Sequence, residues 1–390
     1  MRYLSNYCNY ISSMNETKDN MSKIIPDSIR ELQQLFSKNG KKLYVVGGAV
    51  RDFLKGSKPK DFDLCTDANP DEILEIVGNR FQTNLQGKAF GVVVVYTEDQ
   101  PLGMEIATFR SDTYDGKSRN PQVEFTTIEN DVSRRDLTIN SLFYDLESDE
   151  IVDLVGGVKD LEEGVIRMVG DPQKRILEDP LRILRVVRFA HRYGYKIDKR
   201  TDDDIRKTKS ELSRITRERI WEEIKKAHGY GLDFSDYLET LNNLGLLEVI
   251  FPNLNINFSR VDSKFIEVHF ANVLRDNSTE KLESKMILEL KIESSVSNKV
   301  VFLIRLLDLN PENSFRMYKD KLKNHVQDEI LEDWFMISGI DNRISNAFMI
   351  YKPSVSAESL IKLGYKGVEL GKKINQMESE EFKKLIPNET

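Results

Sequence analysis

Two aspartates one residue apart, Asp61 and Asp63, follow closely on a glycine pair, Gly47 and Gly48, that closes an apolar run. Carboxylates at i and i+2 of an extended segment point to one face, where they can share divalent cations through oxygen. A glycine pair lets backbone amides approach a phosphate that bulkier side chains would keep away. Arg51 adds a planar guanidinium suited to phosphate oxygens, near the positive end of the helix expected to start there. Either motif alone is common in ordinary strands and turns; in this order and spacing they point to nucleotidyl transfer.

The elements that must position these groups follow from local pattern. Leu43 to Val46 reads as a strand ending at the glycine pair, and residues 61–65 read as a second, with Phe62 and Leu64 facing the core. Further strands are expected at 91–96, 104–109, 141–145 and 151–154, with residues 97–103 as a hairpin connection. Met104 to Phe109 alternates so that Glu105 shares a face with Ala107 and Phe109. Glu105 is then either an acid needing a metal partner beside apolar neighbours or a solvent-facing edge residue. Ser111 to Phe125 is rich in turn formers and reads as a surface loop. From about residue 160 onward the pattern is helical, giving a mixed α/β head followed by a long helical part.

Two more constellations carry charge in a chemically useful order. Arg134-Arg135-Asp136-Leu137-Thr138-Ile139-Asn140 places cations, an acid and an amide before an apolar strand. Arg135 could neutralise a triphosphate, with Asp136 and Asn140 fixing the arginine and a ribose by hydrogen bonds. In Glu178-Asp179-Pro180-Leu181-Arg182, Asp179 suits a helix N-cap and Pro180 the first helical position. Ile183, Val187 and Ala190 would then bury one face, while Arg182, Arg185, Arg188 and Arg192 form a cationic stripe opposite.

Composition bounds the class. The 390 residues are 39% hydrophobic and 31% charged, enough for several domains with much polar surface. No apolar run is long enough for a membrane span, and the first 22 residues read as an unstructured leader rather than a signal or transit peptide. Cys8 and Cys65 are the only cysteines, which excludes a disulfide framework and points to a reducing, cytoplasmic compartment. The four histidines lack ligand spacing, so oxygen ligands and a magnesium-like ion are expected. Net charge is -7, yet residues 171–230 hold 17 Lys or Arg against 11 Asp or Glu, the balance of a phosphate-tracking surface.

Taken together, the motifs resemble the class II tRNA nucleotidyltransferases, or CCA-adding enzymes, and the related bacterial poly(A) polymerases. The resemblance runs from residue 43 to about 226, including Glu218-Arg219-Ile220 with Glu223, and continues faintly through Phe251-Pro252. It implies an α+β fold, with a mixed-sheet nucleotidyltransferase head at 23–160 after a leader at 1–22. An all-α neck at 161–231 (base recognition), body at 232–305 and tail at 306–390 (tRNA contact) would follow. It implies Asp61 and Asp63 as magnesium ligands with Glu105 as the third carboxylate, and two-metal transfer without a protein nucleophile. Gly47, Gly48, Arg51 and Arg135 would hold the triphosphate, with Asp136 and Asn140 beside it. Asp179, Arg182, Arg185 and Arg188 would line the nucleotide pocket, Asp179 and Arg182 selecting CTP and ATP. The loop near 112–125 would help the pocket change between C and A. tRNA is the implied acceptor, no membrane is involved, and the oligomeric state is open. The alternatives are a poly(A) polymerase, a CC- or A-adding enzyme, and a non-catalytic nucleotide- or RNA-binding relative. Two departures stand out: a long Gly116-to-Pro121 stretch and no separate basic tail of the poly(A) polymerase kind.

Overall fold

A computed structural model describes residues 21–113 and 122–386. The chain divides into two compact units, Met1–Leu212 and Ser213–Thr390.

The first unit is built on a seven-stranded mixed sheet. Helix α1 (Asp27–Lys38) precedes β1 (Leu43–Val46), which turns directly into α2 (Gly48–Leu54). Then come β2 (Asp63–Thr66), α3 (Pro70–Val77), β3 (Gln82–Asn84), β4 (Val92–Tyr96) and β5 (Met104–Thr108). A separate two-stranded ribbon, β6 (Arg110–Thr113) and β7 (Gln122–Phe125), leads to α4 (Ile128–Arg134). Strands β8 (Leu142–Asp145) and β9 (Glu150–Asp153) complete the sheet, whose order is β3-β4-β5-β2-β1-β8-β9. Only β2 and β5 are parallel among its pairs. Helix α5 (Gly157–Glu163), the short β10 (Val165–Ile166), α6 (Pro172–Glu178), α7 (Arg182–Tyr193), β11 (Lys196–Ile197) and α8 (Lys199–Thr208) follow.

Strand alternation sorts side chains between two faces. Leu43, Val45, Leu64 and Ile106 join Ile29, Leu32, Phe36, Val50 and Ile73 in the main core, where α1, α2 and α3 cover the sheet. Their neighbours Tyr44, Val46 and Cys65 turn to the other face and pack with Phe109, Val132 and Phe143, a much smaller cluster. The sheet is thus thickly covered on one side and only partly on the other, where an open end is left for the site.

Three sequence expectations change. The second strand begins at Asp63, not at residue 61, because its partner β1 ends at Val46, which pairs with Asp63, and the chain beyond Val46 turns away at Gly47. The stretch 111–125 is not simply a loop: its ends form the β6–β7 ribbon, with Arg110 opposite Phe125 and Thr113 opposite Gln122. Arg110 to Thr113 is polar throughout, and the alternation of Gln122-Val123-Glu124-Phe125 is too short to stand out after a run of turn formers, so only cross-strand pairing reveals the ribbon. Residues 114–121, where the loop proper was expected, and the leader up to residue 20 lie outside the described residues. The polar edge strand β3 was missed for the same reason as the ribbon.

The second unit is helical, with no strand among its described residues. Phe270 packs with Trp221, Phe234 and Phe251, and further along the chain Tyr318 packs with Phe348, Tyr351 and Phe382.

Candidate active site

Gly47 has φ 69° and ψ -114°, backbone angles that only glycine adopts readily, and its N–H donates to the Leu142 carbonyl at 2.9 Å. This turn lets β1 run straight into α2. Gly48 opens α2, and a Cβ there would make only ordinary contact with Arg51, so conformation alone explains Gly47 but not Gly48.

Asp63 and Glu105 fall on the same face. Cys65 pairs with Ala107 across the parallel strands, which places Asp63 and Glu105, each two residues earlier, side by side at the open end. Phe62 and Leu64 are buried in the core as expected, and Asp61 lies just before the strand. Crowded surroundings, then the carboxylates of Glu105 and Asp61, push the Asp63 carboxyl above its ordinary value, and only Arg135 pulls it back. Its side chain nevertheless reaches solvent, so the two carboxylate neighbours are the more telling cause. Glu105 is exposed, not buried among apolar neighbours, because the small cluster on this face ends at Cys65 and Ala107.

Among the described residues no group of three acidic, histidine or cysteine side chains is gathered closely enough to hold a metal ion by itself. Asp61, Asp63 and Glu105 are an open set of oxygen donors whose like charges are opposed at Asp63 by Arg135. That suits magnesium, which takes one or two carboxylates and fills its remaining positions with water and substrate phosphate.

The arginines are held differently from what the sequence suggested. Asp136 and Asn140 do not fix Arg135. Arg135 donates Nε to Asp131 at 3.0 Å, pairs with it through Nη2 at 2.9 Å, and lies 4.9 Å from the Phe143 ring centroid. Asn140 instead accepts from Arg51, and Asp136 accepts from Arg185 at 2.6 Å. The cause is chain direction: residues 138–140 form a 3-10 turn that carries Asn140 back against α2. Burial alone would raise the Asp136 carboxyl, but Arg185, the Leu137 N–H and Arg182 outweigh it and hold the group below the usual carboxylate value.

Arg51 is buried, not displayed. Beyond Asn140 it donates to Asp52 at 2.9 Å, and its guanidinium lies 5.4 and 5.2 Å from the rings of Phe189 and Tyr193 on α7. Asp52 also accepts from the Tyr193 hydroxyl at 3.1 Å and pairs with Arg192 at 3.5 Å. Burial, and then Asp52, raise the Tyr193 hydroxyl against the pull of Arg51 and Arg192.

Nor is the arginine stripe of α7 a solvated face. Arg182 is 7% exposed; Nη1 donates to the Arg175 carbonyl at 2.9 Å and to Glu178 at 3.0 Å, and Nη2 to the Arg134 carbonyl at 3.0 Å. Arg188 is buried against the Phe189 ring. Ile183, Val187 and Ala190 are buried as expected. Asp179 is not the N-cap expected from the sequence, nor is Pro180 the first helical residue: the helix starts at Arg182 after Leu181, and Asp179 is the C-cap residue of α6, its carboxylate accepting the Leu181 N–H at 3.2 Å and its carbonyl the Arg182 N–H at 3.1 Å. Of the basic excess in 171–230, Arg185, Arg192 and Lys225 are paired with Asp136, Asp52 and Glu293, acids outside that segment. Compensation at a distance in sequence is invisible to segmental counting.

Three residues were given no role by sequence reasoning. Asp131 is 1% exposed and bonds both Arg134 and Arg135; its spacing to them, three and four residues along a helix, was the available signal. Asp52 and Tyr193 join α2 to α7, and nothing local marks that pairing.

A mixed sheet with paired carboxylates at its open end, a glycine turn and arginines behind them defines a nucleotidyltransferase-type head. Residues 43–167 match the family described as "Poly A polymerase head domain", and residues 194–257 match "Probable RNA and SrmB- binding site of polymerase A". The chain is 33% identical to the human mitochondrial CCA tRNA nucleotidyltransferase 1 over 318 residues, covering 76% of this chain and 70% of that protein. It is 34% identical to Salmonella typhi poly(A) polymerase I over 276 residues, 68% of this chain and 58% of that enzyme. The chain thus spans little more than half the length of the poly(A) polymerases it matches. The fold is similar to the Bacillus stearothermophilus CCA-adding enzyme solved with CTP, with TM-score 0.63, 22% identity and 92% of each chain covered. It is also similar to the Thermotoga maritima CCA-adding enzyme solved with tRNA, with TM-score 0.66, 19% identity and 96% of each covered. The chain belongs to the tRNA nucleotidyltransferase and poly(A) polymerase family.

Proposed function

We propose that this protein adds C, C and A to the 3′ end of tRNA without a nucleic-acid template, using CTP and ATP. The observation that carries this reading is the juxtaposition of Asp63 and Glu105 on adjacent strands, with Asp61 beside them and Arg135 close enough to act on Asp63. Asp61 and Asp63 would hold magnesium, which when bound supplies positive charge for the 3′-hydroxyl and the departing pyrophosphate. Glu105 stands beside them as the third carboxylate. The Gly47–Gly48 turn and Arg135 receive the triphosphate. Arg51, engaged with Asp52 and Asn140, holds that turn against α7 and is assigned to positioning rather than to direct phosphate contact.

Base choice falls to the start of α7. Cytosine and adenine each offer an amino donor beside an unprotonated ring nitrogen, which suits a carboxylate next to a guanidinium. Asp179 and Arg182 are that pair, and Glu178 holds the Arg182 plane. Arg185 and Arg188 line the same helix. The head, neck, body and tail division, tRNA along the helical part, and a reducing cytoplasmic setting belong to the same proposal. No helix of the described residues is long and apolar enough to cross a membrane.

A poly(A) polymerase is the second reading, favoured by the 34% identity to the Salmonella typhi enzyme. The test supplies tRNAs ending before C, CC or A with each nucleoside triphosphate separately and reads product length. Stopping after CCA supports the proposal. ATP run-on supports poly(A) synthesis, arrest at CC or refusal of C marks a partial enzyme, and no extension at all refutes catalysis.

A further inference from the structure

The Asp131 carboxylate serves two elements with its two oxygens. Oδ1 accepts from the Arg110 backbone N–H at 3.2 Å and from Arg134 Nε and Nη2 at 2.9 and 2.6 Å. Arg134 Nε also reaches the Arg110 carbonyl at 2.9 Å, so this side grips the residue that opens β6. Among the described residues Oδ2 accepts from Arg135 alone, through Nε at 3.0 Å, with Nη2 in ion-pair contact at 2.9 Å. Arg135 lies over Phe143, and its charge reaches Asp63 and Cys65 in the neighbouring strand.

We propose that Asp131 is a positioning residue that couples the base of the β6–β7 ribbon to Arg135, aiming the guanidinium at the triphosphate of a bound nucleotide. The coupling rests on the reading of Arg135 as a triphosphate ligand. A buried carboxylate bonded by both oxygens cannot shift one set of partners without shifting the other. Movement of the ribbon stem is thereby felt at the arginine, although no residue of the stem need touch the nucleotide.

The geometry makes Asp131→Asn selective. An amide has one acceptor oxygen, and the three N–H groups of Arg110 and Arg134 outnumber the one that Arg135 donates. The oxygen therefore keeps the ribbon base, and the NH2 faces Arg135 donor to donor. ATP binding in the presence of magnesium is measured by calorimetry on the full chain for the wild type, Asp131→Asn, Arg135→Gln and the double variant, with thermal unfolding of each. Arg135→Gln is expected to weaken ATP binding about tenfold or more, the loss of charge-assisted bonds to phosphate. Asp131→Asn should weaken it comparably, and the double variant no further than Arg135→Gln. Wild-type affinity in Asp131→Asn, or additive losses in the double variant, overturns the coupling. Wild-type affinity in Arg135→Gln overturns the triphosphate reading itself, a distinct result. Should Asp131→Asn fail to fold, Arg134→Gln removes two donors from Oδ1 only. It should weaken ATP binding several-fold in the wild-type background and not at all beside Arg135→Gln; unchanged affinity overturns the link to the ribbon.

Discussion

Asp63→Asn should move stability and activity in opposite directions. Asp63 stands beside Glu105 and Asp61 with its carboxyl raised, so its negative charge costs the folded protein something when no cation is bound. The asparagine keeps the shape and removes the repulsion. Because the side chain reaches solvent, the gain is screened and amounts to about 0.5–1 kcal/mol. The sign with pH is fixed by linkage. A carboxyl whose folded value is raised binds its proton more readily when folded, so the wild type loses stability as pH rises from the unfolded carboxylate value through the folded one. The variant's advantage should be absent in strong acid, develop through that window and persist at neutral pH. Added magnesium should stabilise the wild type more than the variant. Nucleotide transfer should meanwhile fall by several kcal/mol, on the order of a thousandfold, if the carboxylate holds a catalytic ion. Urea unfolding from pH 3 to 8, with and without magnesium, and single-turnover extension of tRNA supply the readouts. A variant destabilised at neutral pH without metal, or one that still extends tRNA near the normal rate, refutes the reasoning.

Gly157→Ala should cost about 1–3 kcal/mol or more in chemical denaturation, since a Cβ there would lie 2.2 Å from the Thr138 carbonyl oxygen. It should also lower activity, because the displaced turn carries Asn140 and with it the hold on Arg51; full activity would sever that link. Asp136→Asn should cost about 2 kcal/mol at neutral pH, discounted because Arg185 is one-third exposed. The Asp136 carboxyl is held low in the fold, so its stabilisation is present above the ordinary carboxylate value and lost as pH falls through the folded one; a difference from wild type unchanged down to pH 2 would contradict this. Replacing the exposed Lys174, Lys196 or Lys199 by Gln should lower the salt slope of tRNA binding by about one each, whereas Arg185→Gln should change it little. Equal slopes in all four would remove this assignment.

Much of the head was legible because its signals are local. Leu43 to Val46 alternates between two buried faces and stops at a residue whose backbone only glycine adopts, and both facts are written within six residues. Asp63 and Glu105 could be assigned to strand faces by counting in twos, although the register that sets them side by side could not be counted. The β6–β7 ribbon escaped because β6 is polar and both strands are only four residues long, and the true start of β2 because it depends on where β1 ends.

The arginine partners were the least legible part, for a physical reason. A guanidinium's type announces that it binds an acid or a phosphate, but its address depends on which carboxylate the fold delivers. Arg51 and Arg185 both lie in motifs that suggest phosphate, yet one meets Asp52 and Asn140 and the other Asp136. These pairings tie α2 and the segment before β8 to α7, so the helix proposed to read the base is fastened to the elements proposed to hold the triphosphate. Part of the charge that looked like a surface for RNA, Arg185 and Arg192, is thus spent joining α7 to the elements before it. A joint made of partly buried ion pairs is costly to leave half made, because removing one partner strands the other. Arg192→Ala and Asp52→Ala should therefore not add in their effects on stability, while Arg192→Ala and Asp136→Asn, which belong to different ion pairs, should add to within about 0.5 kcal/mol. Additivity in both pairs, measured by urea unfolding, would show that the ion pair of α7 with Asp52 is not a unit and that the aromatic contacts of Phe189 and Tyr193 hold that side of the joint.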